Sequence, residues 1–304
     1  MNSVLDQFRA AIKAAGMEPP DTLHADGHLH RFSPTGKHAD LAAWYVLHND
    51  GLAAGVFGCW RSGLQSTWCA KPECDLIEAE RSAQREQVRA AQRQRDAEQA
   101  RRRQQASHTA MQRWQAAAPA IQHPYLAAKG VRAHGLRVEG AALLVPVRSA
   151  AGVLASLQTI RADGTKRFLP GGAVQGSYHA MGKLADVLVL AEGYATAATI
   201  HEAVGLPVAA CFHSGNLLPV ARALRRKYPA LALLVAADDD WRTEGNPGLT
   251  AARHAALAVG GLVVVPQFPA ERPAKATDFN DLAALAGQGA VRACFAELLE
   301  GTPC

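Results

Sequence analysis

No stretch of this chain is both apolar and long enough to cross a bilayer: Ala185–Ala191 is short and runs into Glu192, where a spanning helix needs about 20 apolar residues. No secretory leader follows Met1, and the six cysteines (Cys59, Cys69, Cys74, Cys211, Cys294, Cys304) never form a CxxC pair. These absences argue against a disulfide framework and predict a reduced, cytoplasmic protein without a membrane partner. There is no Walker-type phosphate loop, so helicase activity would have to come from another chain. No Ser-His-Asp or Cys-His arrangement stands out either.

What is present is enough for two modest domains in 304 residues, with 49% of them apolar and able to build cores. A net charge of +5 suits a polyanionic partner, though many soluble proteins are mildly basic.

Residues 1–75 read as a small, mostly β module. A helix over Val4–Ala15 stops at Gly16 and Pro19-Pro20, and strands are expected at His28–Phe32, Trp44–His48 and Ala53–Trp60. Asn49-Asp50-Gly51 marks a hairpin between the last two. His28, His30, His48, Cys59, Cys69 and Cys74 are available for zinc here but lack paired spacing. Trp44, Trp60 and Trp68, near Arg61 and Lys71, are either a base-stacking surface or the module's core. The expectation is a template-binding, degenerate zinc-finger-like or protein-docking module.

Residues 76–117 form a charged helical linker, free of Pro and Gly from Glu78 to Gln115. Arg93, Arg95 and Arg101-Arg102-Arg103 are candidate phosphate contacts, but the interleaved Glu86, Asp96 and Glu98 favour a spacer.

Beyond Pro119 the texture is α/β. Strands are expected at Ala142–Val147 and Val153–Ile160, around the Ala151-Gly152 turn. Further strands follow at Val187–Ala191, Pro207–Cys211, Leu231–Ala236 and Leu262–Pro266. Helices over Ala195–Val204, Leu217–Lys227 and Leu249–Val259 separate the last four. This alternation predicts a mostly parallel sheet with helices on both faces. In such sheets the chemistry sits at the carboxyl ends of the strands.

Three carboxylate groups occupy those ends: Glu192; Asp238, Asp239 and Asp240; and Asp278 with Asp281. A single Asp there is commonly a helix N-cap. Three groups at one edge repel one another unless a cation neutralises them, and hard oxygen ligands suit Mg²⁺ or Mn²⁺. Ser214 and Asn216, after the strand ending at Cys211, are either substrate contacts or N-caps.

Leu190-Ala-Glu-Gly-Tyr-Ala-Thr-Ala-Ala198 resembles the Glu motif of Toprim domains, and Ala236-Ala-Asp-Asp-Asp240 their DxD motif. With Asn246-Pro-Gly248 and Asp278-Phe-Asn-Asp281, the pattern is similar to the Toprim domains of plasmid and phage primases. Upstream, His123–Val131 resembles the YLxxRG segment that opens the core of bacterial-type primases. Leu144–Val147, Gly152–Arg161 and Lys166–Leu169 resemble the strands that precede their Toprim domain. Asp239 and the inserted Trp241–Glu244 depart from the bacterial type.

The resemblance implies a primase-core-like α+β subdomain at 118–184 and a Toprim catalytic domain at 185–304. It implies that Asp238 and Asp240 bind metal, that Glu192 is a further ligand or the general base, and that Asp278 or Asp281 completes the cluster. Arg161, Lys166, Arg167 and Lys183 become candidate contacts to template or triphosphate, with Lys166-Arg167 foremost. The implied activity is a DNA primase, a nucleotidyltransferase of plasmid, phage or mobile-element replication. It would use a single-stranded DNA template, nucleoside triphosphates and a replicative helicase on another chain. The rivals are a Toprim nuclease, in which the same metals would activate water, and a non-catalytic DNA-binding replication accessory protein. A topoisomerase is disfavoured, because the chain has no room for gate domains.

Overall fold

The computed structural model describes residues 3–37, 40–49, 53–71 and 78–300. Its contacts divide the chain into two compact units, residues 1–101 and 102–304.

In the first unit, α1 (Val4–Ala14) opens with a capping box between Ser3 and Asp6 and buries Phe8 and Ile12. It packs on an antiparallel sheet of β1 (His30–Phe32), β2 (Ala43–His48), β3 (Ala54–Cys59) and β4 (Leu64–Cys69), in that order. His48 pairs with Ala54, as a hairpin requires; the turn residues 50–52 lie outside the described residues. Trp44 is fully buried, and Trp68 is half-buried and packs edge-on against Phe8, so both contribute to the core. β4 was not foreseen from the sequence, because its residues are mostly polar and half exposed.

α2 (Glu78–Ala116) is continuous, as the lack of Pro and Gly dictates. Its ends are not simply solvated: Val88 and Ala91 join the core of the first unit, and Ala110 joins that of the second. Arg93, Arg95 and Arg101 pair with Glu86, Asp96 and Glu98.

The second unit begins with an antiparallel sheet of β5 (Ala118–Pro119), β6 (Arg137–Glu139), β7 (Ala142–Arg148), β8 (Leu154–Ile160) and β9 (Lys166–Phe168). The short α3 (Pro124–Lys129) precedes β6. A second sheet has the order β10 (His179–Met181), β12 (Val208–Ala210), β11 (Val187–Ala191), β13 (Ala232–Ala236), β14 (Leu262–Val264). Only β10 runs antiparallel to its neighbour.

β11 is apolar throughout because it is buried on both faces. Val187, Val189 and Ala191 face α4 (Tyr194–Val204) and α7 (Phe279–Glu300, broken at Gly287). Leu188 and Leu190 face α5 (Leu217–Lys227) and α6 (Pro247–Val259). The first of these cores also takes in Tyr125, Leu143 and Val145, so the antiparallel subdomain is fused to the parallel sheet. No helix among the described residues is long and apolar enough to cross a membrane.

Candidate active site

β11 and β13 are parallel neighbours with Leu190 opposite Val235. The chain therefore leaves both strands at one edge, with Glu192 directly after β11 and Asp238 two residues after β13. Adjacent strands stand about 4.8 Å apart, which is why residues 46 positions apart in sequence share a site. The Ser214 backbone N–H donates to the Glu192 carboxylate. Asn216 is a buried structural peg instead, bonded to Gly176, Val174, Ser177 and Cys211.

Asp240 Oδ2 accepts from the Gly248 N–H at 3.0 Å, at the start of α6. Only glycine fits there, because a Cβ on residue 248 would lie 2.5 Å from the Asp238 carbonyl and 2.9 Å from Asp240 Oδ2. The Asn246-Pro-Gly248 motif thus allows a helix terminus to press against the acidic strand end.

Asp278 and Asp281 differ in role. Asp281, in the first turn of α7, turns its Oδ2 back to accept from the Thr277 N–H at 2.9 Å, while Asp278 caps the helix. Asp278 Oδ1 accepts from the Asp281 N–H at 2.8 Å, and its Oδ2 accepts from Thr196 Oγ1 at 3.0 Å. Thr196 on α4 thereby ties the third carboxylate loop to the helix that follows Glu192.

Burial, then Asp278, Glu192, Asp240 and Asp281 in turn, push the Asp238 carboxyl up to about 8. Burial is also the first cause raising Glu192 and Asp278. Asp238 Oδ1 is buried with no hydrogen-bond partner. An orphaned carboxylate oxygen among mutually repelling acids fits a divalent cation. Among the described residues, however, no three His, Cys, Asp or Glu converge into a ready-made cage for an ion, zinc included. Mg²⁺ needs no such cage, since it commonly takes one or two carboxylates and keeps several waters. Asp238 and Asp240, with Glu192 or Asp278 beside them, are the residues that would hold it.

Lys166 faces this cluster: its ammonium is lowered first by desolvation and then by Lys129, and it feels Asp278, Glu192 and Asp238. Phe168, two residues on along β9, shares that face and packs on Phe212 at 5.6 Å. Arg167 therefore points to the other face. Arg161 stands at the exposed β8–β9 turn beside Asp163. Lys183 is not brought to the cluster. β10 ends with Met181 opposite Val208, the first residue of β12, so Lys183 lies at the opposite edge of the sheet.

Three further residues, Lys129, Asn280 and Tyr125, stand beside the cluster without a role foreseen from the sequence. Lys129 sits where the YLxxRG resemblance has its Arg, and that position was the signal available. Asn280 Nδ2 holds the Lys129 carbonyl at 2.7 Å and Thr199 Oγ1 at 2.9 Å. Tyr125, in the same segment, carries a buried hydroxyl without a hydrogen-bond partner. Tyr125, Lys129, Asn280 and Asp281 line a cleft of about 520 Å³, within the range of small-ligand sites.

Residues 187–289 match the Toprim domain family. The chain is 36% identical to DNA primase TraC of Escherichia coli over 280 residues, covering 86% of this chain and 26% of that protein. A second Escherichia coli DNA primase TraC is 35% identical over 298 residues, covering 92% of this chain and 20% of its own length. The chain thus spans 20–26% of the length of these two relatives. Among solved structures it is similar to the DnaG primase catalytic domain bound to ssDNA, with 13% identity and a TM-score of 0.45 over 65% of this chain and 80% of that one. It is also similar to the primase fragment of the bacteriophage T7 primase-helicase, with 15% identity and a TM-score of 0.39 over 60% of this chain and 70% of that one. The resemblance to Toprim primases drawn from Glu192 and the Asp238/Asp240 pair agrees with the family match and with both relatives.

Proposed function

We propose that this chain carries the catalytic core of a DNA primase, making short oligonucleotide primers on single-stranded DNA by metal-dependent nucleotidyl transfer in plasmid or other mobile-element replication. One observation carries the reading: Glu192, Asp238 and Asp278 gather around an unpartnered buried carboxylate oxygen, with the Lys166 cation facing them. Anionic ligands for a metal, with a cation for phosphate facing them from the neighbouring sheet, suit phosphoryl transfer better than proton transfer alone. The similarity to TraC primases along most of the chain supports the same reading.

In this reading the 3′-hydroxyl of one nucleotide attacks the α-phosphate of an incoming nucleoside triphosphate, and pyrophosphate leaves. Mg²⁺ or Mn²⁺ held by Asp238 and Asp240 would lower the hydroxyl pKa and offset the charge that builds on phosphate. Glu192 serves as a further ligand or takes the proton from the attacking hydroxyl. Lys166 and Lys129 attract and orient the triphosphate. The cleft lined by Tyr125 and Asn280 lies beside them and has the size to take a nucleotide. A helicase on another chain would supply the unwound template.

The test is a priming reaction with the purified chain, single-stranded DNA, nucleoside triphosphates and Mg²⁺ or Mn²⁺. Labelled oligonucleotides are expected, and they should disappear in Asp238→Asn. No product, under conditions where a known primase works, rejects the reading. Cutting of labelled DNA with no extension would assign the same carboxylates to a nuclease.

A further inference from the structure

Trp241 follows the last acid of the cluster and is 44% exposed, unlike the buried Trp44. Its loop does not need the indole to hold its shape. The Trp241 N–H donates to the Asp239 carbonyl at 2.7 Å, Thr243 N–H to Asp240 at 2.7 Å and Asn246 N–H to Thr243 at 2.9 Å. Arg272 anchors the same loop through the Asp239 side chain and backbone.

That guanidinium is therefore fixed, and it lies 5.2 Å from the Trp241 ring centroid and 4.0 Å from that of Phe268. The Arg242 guanidinium lies 4.7 Å from the same indole and forms no ion pair among the described residues. The structure thus holds a large aromatic surface in place, half open to water, beside one immobile and one available cation.

We propose that Trp241 is a stacking platform for an unpaired base of the DNA template, with Arg242 reaching the adjacent phosphate; the inference rests on the primase reading above. Every base has a π-face, so an indole binds a strand without sequence preference, and arginine adds both cation–π and phosphate contact. The available Arg242 cation at the edge of the indole favours a nucleic acid over an apolar protein surface. Trp241 does not line the 520 Å³ cleft, which separates it from the pocket proposed for the incoming nucleotide. The platform belongs to Trp241–Glu244, the segment in which this chain departs from the bacterial-type pattern.

The experiment measures binding of the full chain to a labelled oligothymidylate and to an abasic oligomer of equal length, for wild type, Trp241→Ala and Trp241→Phe. Wild type should prefer the base-bearing strand. Trp241→Ala should bind it roughly tenfold more weakly and lose the preference, with abasic binding and Tm unchanged. Trp241→Phe should keep affinity within about threefold, yet lose much of the tryptophan fluorescence quenching that oligothymidylate causes.

Equal binding of both oligomers by wild type and Trp241→Ala overturns the proposal while leaving priming intact as a separate result. Equal weakening toward both oligomers overturns it in favour of a structural role. An altered KM for nucleoside triphosphate with unchanged oligomer affinity overturns it in favour of the incoming base. Wild type that binds neither oligomer and makes no primers defeats this proposal and the primase reading together.

Discussion

Arg272 wraps Asp239: one arm of the guanidinium meets the carboxylate, and the other donates to the Asp239 backbone carbonyl at 2.7 Å. Asn246 Nδ2 takes the remaining carboxylate oxygen at 2.6 Å. Burial works against the Asp239 charge, but Arg272 and Asn246 hold it below the ordinary carboxylate range. The middle acid of the Asp238–Asp240 run is therefore engaged inside its own loop, while its neighbours remain available to the site.

Arg272→Met should leave Asp239 largely buried and unpaired. The two side chains are 14% and 19% exposed, so a loss of about 2–4 kcal/mol is expected. Chemical denaturation would measure it. Adding Asp239→Asn should recover part of the loss, because the stranded charge is then gone. If the single variant is as stable as wild type, the pair contributes nothing to the loop.

Gly248→Ala tests the contact between α6 and the acids. The new methyl would collide with the Asp238 carbonyl, where no flexible side chain can yield. Overpacking of this kind costs about 1–3 kcal/mol. Priming activity should fall more steeply than Tm, since the shift is transmitted to Asp238 and Asp240. An unchanged kcat would show that the helix terminus can move without disturbing the site.

Asp238→Asn should abolish priming yet raise the stability of the metal-free chain, because near neutral pH the wild-type carboxyl must either take up a proton on folding or carry its charge beside four other carboxylates. Calorimetry with and without Mg²⁺ separates the effects: wild type should gain stability from the ion and the variant much less. A variant less stable than wild type without metal would contradict this account of the cluster.

Lys166→Ala and Arg167→Ala should diverge although the residues are adjacent. Lys166 lies on the face of β9 turned toward the acids, and Arg167 lies on the other face. The Lys166 change is expected to raise the KM for nucleoside triphosphate by tenfold or so, on the order of one lost charge contact, and the Arg167 change to leave it nearly untouched. Similar effects in steady-state priming would refute the face assignment.

His179 gives a pH dependence unrelated to the acids. Burial holds its imidazole down to about 4, neutral against the His134 carbonyl. Above pH 6.5 the ring is neutral in both the folded and unfolded chains, so it contributes no difference. Between 6.5 and about 4 the unfolded chain takes up a proton that the folded chain refuses, and stability falls as pH drops through that window. The loss is on the order of 3 kcal/mol at its limit. His179→Gln should flatten this part of a Tm-against-pH curve; an unchanged slope would place the titration elsewhere.

The arrangement of strands and helices beyond residue 185 was legible because it is written locally. Short β-branched runs, apolar on both faces, must be interior strands, and an acid directly after such a run must lie at the sheet edge. Glu192 and the Asp238–Asp240 run follow from that rule, and the resemblance to Toprim domains singles out Asp238 and Asp240 within the run. α7 was not legible, since Gly287 interrupts its pattern, nor was β4, with its polar surface. Tertiary structure decided the rest, because the deciding partners are far away in the chain. Asp239 is removed from the site by Arg272, 33 residues on. Asp278 caps α7 and is tied toward the cluster by Thr196 on another element, while Asp281 turns back onto the Thr277 N–H. Lys129 is held in place by Asn280 across 151 residues. Residue type and spacing determine which edge of the sheet collects charge; only packing between distant segments determines which of those charges stay unpaired, and unpaired charge is what a metal or a phosphate can use.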